Sequence, residues 1–178
     1  MKVFKPLLTA LLLAAAAPAV WAQGQGSANA PAPARVIEPE EFVRLAYSSA
    51  TLQGQAATLA SSRETRPEVK SYAAAQTGFR QDLLKRIEAF ARERNLPLPS
   101  VKEFEHQVII ENMEPLDYLA LSRRYAEIQL QALDQEIGIY RAASQSPHQA
   151  IKAFADQVLP DLEQRRGGAQ KMWETVRP

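Results

Sequence analysis

The sequence predicts an all-α protein, folded as an up-down-up-down four-helix bundle with one short extra helix between the second and third long helices. Four long stretches carry apolar residues at steps of three and four, which is the period of a helix with one buried face. Prolines and helix-capping residues separate these stretches. No stretch alternates apolar and polar residues for long enough to predict a strand.

The first predicted helix begins near Pro39, because proline suits the first turn of a helix and the acidic Glu40 and Glu41 suit its positive end. Its inner face carries several small side chains, which allow a neighbouring helix to approach closely: Ala46, Ser49, Ala56 and Ala60. Only a few residues separate this helix from the second one. Short connections place consecutive helices side by side and antiparallel.

The second predicted helix runs from Pro67 to Arg94 and follows a capping segment that begins at Thr65. Its inner face is apolar at both ends and polar in the middle, at Gln76 and Arg80. The other members of this face are Val69, Tyr72, Ala73, Leu83, Ile87 and Phe90. We therefore expect any chemistry inside the bundle at the level of Gln76 and Arg80.

The remaining helices are marked by start and stop signals. Ser100 and Glu103 form a capping box for a short helix that ends near Asn112, ahead of a proline. The third long helix is predicted from about 116 to 143, and the last one starts at 147 and keeps the helical period to the end of the chain. Predicted inward-facing positions on these two helices include Leu119, Ala126, Leu130, Leu133, Ile137, Tyr140 and Phe154.

The first 22 residues have the pattern of a secretory signal peptide. Lys2 and Lys5 give a positive start, residues 7–17 are apolar, and Val20 and Ala22 are small residues at the positions that a signal peptidase recognises. The apolar run is shorter than the roughly 20 residues that span a bilayer. We therefore expect cleavage after Ala22 and a periplasmic mature protein with no transmembrane span.

Composition divides the rest of the chain into a predicted disordered tether at 23–37, rich in Gly, Ala, Pro and Ser, and a single helical-bundle domain at 38–178. Cleavage would leave 19 of the 21 Lys and Arg residues against 20 Asp and Glu, so the net charge would change from +1 to −1. A nearly neutral chain has no general attraction to nucleic acid. The sequence contains no cysteine, which excludes disulfides and thiolate metal sites.

Candidate catalytic groups are sparse. Glu103 and His106 form a Glu-x-x-His pair, but a di-iron bundle needs that pair on two helices and a glutamate from each of the other two. We interpret His106 and His148 as solvated surface histidines, and neither is placed to activate Ser122 as a nucleophile. The sequence therefore predicts no catalytic residue, no metal ligand and no cofactor.

Several short motifs follow one another in order along the chain. They are Phe42 with Ala46, the Leu59-Ala60 pair, Val69-x-x-Tyr72-Ala73, Leu96-Pro97-Leu98-Pro99, Arg123-x-Tyr125 with Gln129, and Lys152-x-Phe154-Ala155 followed by Leu159-Pro160. With these motifs, the chain from about Phe42 to Trp173 resembles a bacterial domain-of-unknown-function family of exported, ferritin-like four-helix proteins. Members of that family are often labelled as outer membrane proteins.

The resemblance also implies metal-ligand positions that this chain does not keep. Members of the family usually carry an Asp-His pair on the second helix, an aspartate before the third-helix tyrosine, and histidines on the third and fourth helices. The corresponding positions here are Phe79, Arg80, Ser122, Leu133 and Arg165. Because an arginine stays charged and cannot ligate a metal, we do not carry a metal role over to this chain.

One polar residue from each long helix predicts a polar layer inside the bundle: Gln53, Arg80, Gln129 and Arg165. In one interpretation these side chains hydrogen-bond to one another and to a carboxylate such as Asp161, and thereby fix the register of the helices. In the other interpretation, Arg80 and Arg165 together hold a small anion. We prefer the first interpretation.

The sequence thus predicts a non-catalytic, exported helical-bundle protein of the Gram-negative envelope, acting as an interaction or stress-related accessory protein with an unknown envelope protein as its partner. The alternative is a ferritin-like metal-binding or redox protein with a degenerate site, of which His106 and nearby carboxylates would be remnants. A third interpretation is a small-anion carrier that uses Arg80 and Arg165. The specific ligand and the oligomeric state are not predicted.

Overall fold

The computed structural model describes residues 36–63, 66–100 and 104–178, and of Phe104 only the backbone. The predicted signal peptide, nearly all of the predicted tether, Thr65 and the Glu103 end of the predicted capping box lie outside the described residues. The described elements are all helices: α1 (Pro39–Arg63), α2 (Pro67–Glu93), α3 (Phe104–Met113), α4 (Tyr118–Ser144) and α5 (Gln149–Val176). The predicted all-helical bundle with a short extra helix between the second and third long helices is confirmed.

The four long helices surround a common interior. α1 packs against α2 and α4, and α5 packs against α4 and α2, so that each long helix has two long neighbours. The short α3 lies against α1 and α4. None of the described helices is both long enough and apolar enough to cross a membrane.

The directions of the helices differ from the predicted up-down-up-down order. Phe42 near the start of α1 contacts Tyr140 near the end of α4, with ring centroids 5.2 Å apart, so α1 and α4 are antiparallel. Tyr72 and Tyr125 lie near the starts of α2 and α4 and pair at 6.3 Å, so these two helices run in the same direction. Phe42 also lies 6.0 Å from Phe154 near the start of α5, so α5 runs in the same direction as α1. The observed order of the four long helices is therefore up, down, down, up.

The connection between α2 and α4 explains this difference. The rule that consecutive helices are antiparallel holds for short connections, such as the one from α1 to α2. Between α2 and α4, in contrast, the chain carries α3 and returns along the bundle before α4 begins. Arg63 at the end of α1 hydrogen-bonds to Asp117, the residue before α4, at 2.7 Å. The start of α4 therefore lies beside the end of α1, at the opposite end of the bundle from the end of α2.

Apolar side chains form the core at each end of the bundle. At one end, Phe42, Phe90, Tyr140 and Phe154 form an aromatic cluster with edge-on and tilted ring contacts. At the other end, the small residues of α1 and α2 let Tyr125 and Met172 pack closely against them. The prediction that Leu119 faces inward was wrong, because this residue is 39% exposed in the first turn of α4.

The glycine pair in α5 offers a matched test of this packing. A Cβ added to Gly168 would lie 2.9 Å from Cε2 of Tyr72, whereas a Cβ added to Gly167 meets no atom within 4 Å. We expect Gly167→Ala to raise the free energy of unfolding by roughly 1 kcal/mol, because alanine favours the helix. We expect Gly168→Ala to lower it by about 1–3 kcal/mol, because the Tyr72 ring must move.

Urea denaturation of the two variants beside the wild-type chain measures both effects. The two substitutions share the same chemistry and the same helix, so their difference isolates the contact with Tyr72. Equal stabilisation by both alanines would contradict the close packing of Gly168 against Tyr72.

Candidate functional site: a buried arginine–glutamate pair

The polar middle of the bundle is built around Arg80 on α2 and Glu136 on α4. Nη1 of Arg80 donates hydrogen bonds to both carboxylate oxygens of Glu136, each at 2.8 Å. Neither side chain has any solvent exposure. A buried charge of either sign is costly unless it is paired and hydrogen-bonded, so each of these residues depends on the other.

Gln53 on α1 joins the pair to a third helix. Nη2 of Arg80 donates to Oε1 of Gln53 at 2.6 Å, and Nε2 of Gln53 donates to Oε2 of Glu136 at 2.9 Å. The same Nε2 also donates to the hydroxyl of Ser49 at 3.0 Å, one turn earlier in α1. We call Gln53, Arg80 and Glu136 the central triad, because each of them hydrogen-bonds to the other two.

Local sequence explains why the triad can assemble. Gly54, next to Gln53, has no side chain, and a Cβ there would lie 3.3 Å from Cβ of Arg80. The small residue lets α2 approach α1 closely enough for the guanidinium of Arg80 to reach the amide of Gln53. Apolar clusters pack the bundle on either side of the triad, and the Arg80 and Glu136 side chains are completely buried.

The four residues of the predicted polar layer do not form one connected network. Gln53 and Arg80 are bonded to each other in the triad. Gln129 is fully buried, but its side-chain amide makes no hydrogen bond within the described part of the chain. Arg165 is half-buried, and its guanidinium carbon lies 3.6 Å from the centroid of the Phe79 ring. Asp161, which we considered as the carboxylate of the layer, is exposed on α5.

Glu136 is the functional residue that sequence reasoning missed. We assigned the inner face of α4 through Leu133, Ile137 and Tyr140, and these three side chains are indeed buried. Glu136 lies three residues after Leu133 and four before Tyr140, so it also has the spacing of this face. A buried arginine on α2 requires an acidic partner, and that requirement was the signal that could have identified Glu136.

A second polar group lies between α2 and α5. Nε2 of Gln76 donates to the hydroxyl of Tyr72 at 2.8 Å, and this hydroxyl donates in turn to the backbone carbonyl of Arg165 at 3.0 Å. Burial raises the pKa of the Tyr72 hydroxyl to about 12. Burial, and then the nearby positive charge of Arg80, lowers the pKa of the Arg165 guanidinium from its ordinary value. Tyr72 is therefore a protonated donor at neutral pH.

The two histidines are less free than the sequence suggested. Nδ1 of His106 lies 3.2 Å from the hydroxyl of Ser48 on α1, so the partly buried His106 ring contacts the bundle instead of standing in solvent. Nε2 of His148 lies 3.1 Å from a carboxylate oxygen of Glu38. Within the ranges that the structure describes, no three His, Asp or Glu side chains are grouped closely enough to share a metal ion.

The protein is therefore an all-helical bundle, and an arginine, a glutamate and a glutamine that hydrogen-bond to one another cross its interior. A family model described as a domain of unknown function (DUF4142) matches residues 22–172. The match covers most of the chain, and the protein therefore belongs to this family. The predicted membership in a domain-of-unknown-function family is confirmed, whereas the outer-membrane label is no part of the match. No curated protein and no solved structure matches the chain.

The positions that the family resemblance marked as metal ligands carry other chemistry in this chain. Arg80, Ser122 and Leu133 are fully buried, and Phe79 and Arg165 stack on each other at the edge of the interior. Arg80 brings a positive charge to the bundle centre and already binds the carboxylate of Glu136. This arrangement fixes three helices relative to one another and leaves the Glu136 carboxylate bonded to arginine.

Proposed function

We propose that this protein is an exported, non-catalytic helical bundle of the bacterial envelope, acting as an interaction or stress-related accessory protein. The central triad carries the proposal. Ferritin-like bundles place their ligating carboxylates and histidines on the inward faces of the helices. In this chain Glu136, an inward-facing carboxylate of α4, is bonded to a guanidinium and an amide, so its charge balances the charge of the buried Arg80.

The helix order supports a ferritin-like origin for the fold, which we propose together with this function. One long crossover between the second and third long helices, with the directions up, down, down, up, is the topology of bundles that have a single crossover connection. An ancestral metal site whose ligands were replaced by arginine, serine and apolar residues would leave such a bundle with a purely structural centre.

The pattern of residues 1–22 supports the export part of the proposal. Fractionation of bacterial cells that express the full chain, followed by intact-mass measurement, is expected to find it in the periplasm with Gln23 as its first residue. Ala22→Arg should block cleavage, because the residue before the cut must be small. Gln23→Arg, on the other side of the same bond, is the matched control and should be processed normally.

Elemental analysis tests the metal-free part of the proposal. The protein is purified from the periplasm without chelators, and the expected content of iron, manganese and zinc is well below one atom per chain. One or two tightly bound transition-metal ions per chain would overturn this part of the proposal. The alternative of a ferritin-like metal-binding or redox protein would then replace it.

A further inference from the structure

A small cavity of about 200 Å³ lies between α2 and α5, outside the central triad. Its lining includes Tyr72 and Gln76 from α2 and Arg165 and Gly168 from α5. The Tyr72 hydroxyl is held by Gln76 and by the carbonyl of Arg165, so this wall of the cavity is fixed in place. Gly168 makes room for the Tyr72 ring, because any larger residue would collide with it.

Two buried polar atoms of this lining have no partner within the described residues: Oε1 of Gln76 and Nε of Arg165. Gln76 is only 1% exposed, and its Nε2 is already used by Tyr72. Leaving a buried polar atom without a hydrogen bond is costly, and natural sites with such atoms call for an explanation. An acceptor on Gln76 and a donor on Arg165, beside one cavity, match a ligand that carries a donor and an acceptor.

The charge of Arg165 indicates which kind of acceptor group the ligand carries. The charge of Arg80 is neutralised by Glu136, so Arg80 has no excess charge to offer an anion. The Arg165 side chain forms neither an ion pair nor a hydrogen bond within the described part of the chain, although Asp161, one turn earlier, acts on it at longer range. Phe79 covers one face of the guanidinium by stacking, and Nε at its edge is buried without a hydrogen bond within the described residues. A carboxylate is the natural partner of such an edge.

We propose that this cavity binds a small carboxylic acid that carries a hydroxyl or amino group next to its carboxylate. The carboxylate accepts from the guanidinium of Arg165, and the hydroxyl or amino group donates to Oε1 of Gln76. The cavity is smaller than the pockets of roughly 300–1,000 Å³ that hold drug-sized ligands, so the ligand has few heavy atoms. The sequence suggested that Arg80 and Arg165 together hold a small anion, and in this proposal only Arg165 contacts it.

Three acids with the same carbon frame test the proposal: L-lactate, L-alanine and propionate, titrated calorimetrically into the full chain. They carry a hydroxyl, an ammonium and no donor at the second carbon, respectively. L-lactate and L-alanine are expected to bind at least about tenfold more tightly than propionate, because only they satisfy Gln76. Arg165→Met is expected to weaken the binding of all three acids, because methionine keeps much of the length but removes the charge.

Arg166→Met is the matched control. Arg166 is the next residue, and its guanidinium pairs with Asp134 at 2.9 Å on another face of α5. This variant should bind the three acids as the wild type does. Gln76→Met gives a second test, since it should abolish the preference for L-lactate and L-alanine over propionate while binding of propionate persists.

The proposal is overturned if none of the acids binds at concentrations up to about 10 mM, or if Arg165→Met binds them as tightly as Arg166→Met does. Circular dichroism melting curves of each variant show that the bundle is folded before binding is compared. This inference does not rest on export or on metal content, so its failure and the failure of the proposed function are separate results.

Discussion

Replacing Glu136 with glutamine should lower the free energy of unfolding by about 3–5 kcal/mol, because Arg80 would keep its charge in the interior without a carboxylate. Both side chains are completely buried, and Arg80 reaches both oxygens of Glu136 at 2.8 Å. Glutamine preserves the shape of the side chain, so the change measures the loss of charge more than the loss of packing. Urea denaturation of the full chain measures the effect.

Two controls separate this effect from a general loss of negative charge. Glu163 pairs with Arg141 at 2.6 Å on the surface, where both side chains are about half exposed. Glu163→Gln should cost no more than about 1 kcal/mol, as is usual for an exposed pair. The double variant Arg80→Met, Glu136→Leu removes both buried charges and should recover most of the stability that Glu136→Gln loses.

The double variant also tests how much of the triad's contribution to the free energy of unfolding is electrostatic. Gln53 would lose its partners on both α2 and α4, so some destabilisation should remain. If Glu136→Gln were as mild as Glu163→Gln, the triad would not hold the bundle together, and the structural role that we assign to it would have to be abandoned.

Phe154→Ala should also lower the free energy of unfolding by about 3–5 kcal/mol, because it empties the middle of the aromatic cluster. The Phe154 ring lies 5.0 Å from the Phe90 ring and 6.0 Å from the Phe42 ring, centroid to centroid. Only 9% of the residue is exposed. The substitution therefore removes contacts with α1 and α2 at once, and urea denaturation again gives the size of the loss.

Leu119→Ala is the control for this prediction. Leu119 is a large apolar residue of α4 but is 39% exposed, so its truncation should change stability by less than about 0.5 kcal/mol. A Phe154→Ala variant that is no less stable than Leu119→Ala would show that the inner face of α5 has been assigned incorrectly.

The amino-acid sequence by itself determined the helices and the polar level inside the bundle. Proline signals predicted the starts of α1 and α2, near Pro39 and at Pro67, and the helices begin at these residues. The spacing of Gln76 and Arg80 on one face of α2 predicted polar side chains inside, and both are buried. These features depend on residues three or four apart on one helix, and such local relations are visible in a sequence.

Only the tertiary structure decided which residues meet. The partner of Arg80 is 56 residues away along the chain, and the inner face of α4 offered Ile137 as readily as Glu136. The direction of α4 followed from the path of the crossover, which no local pattern specifies. Arg165 and Gln129 have the spacing of inward residues, yet one stacks on Phe79 and the other does not join the triad. Pairing across helices depends on their rotation and direction, because residues far apart in sequence meet only when the whole bundle closes.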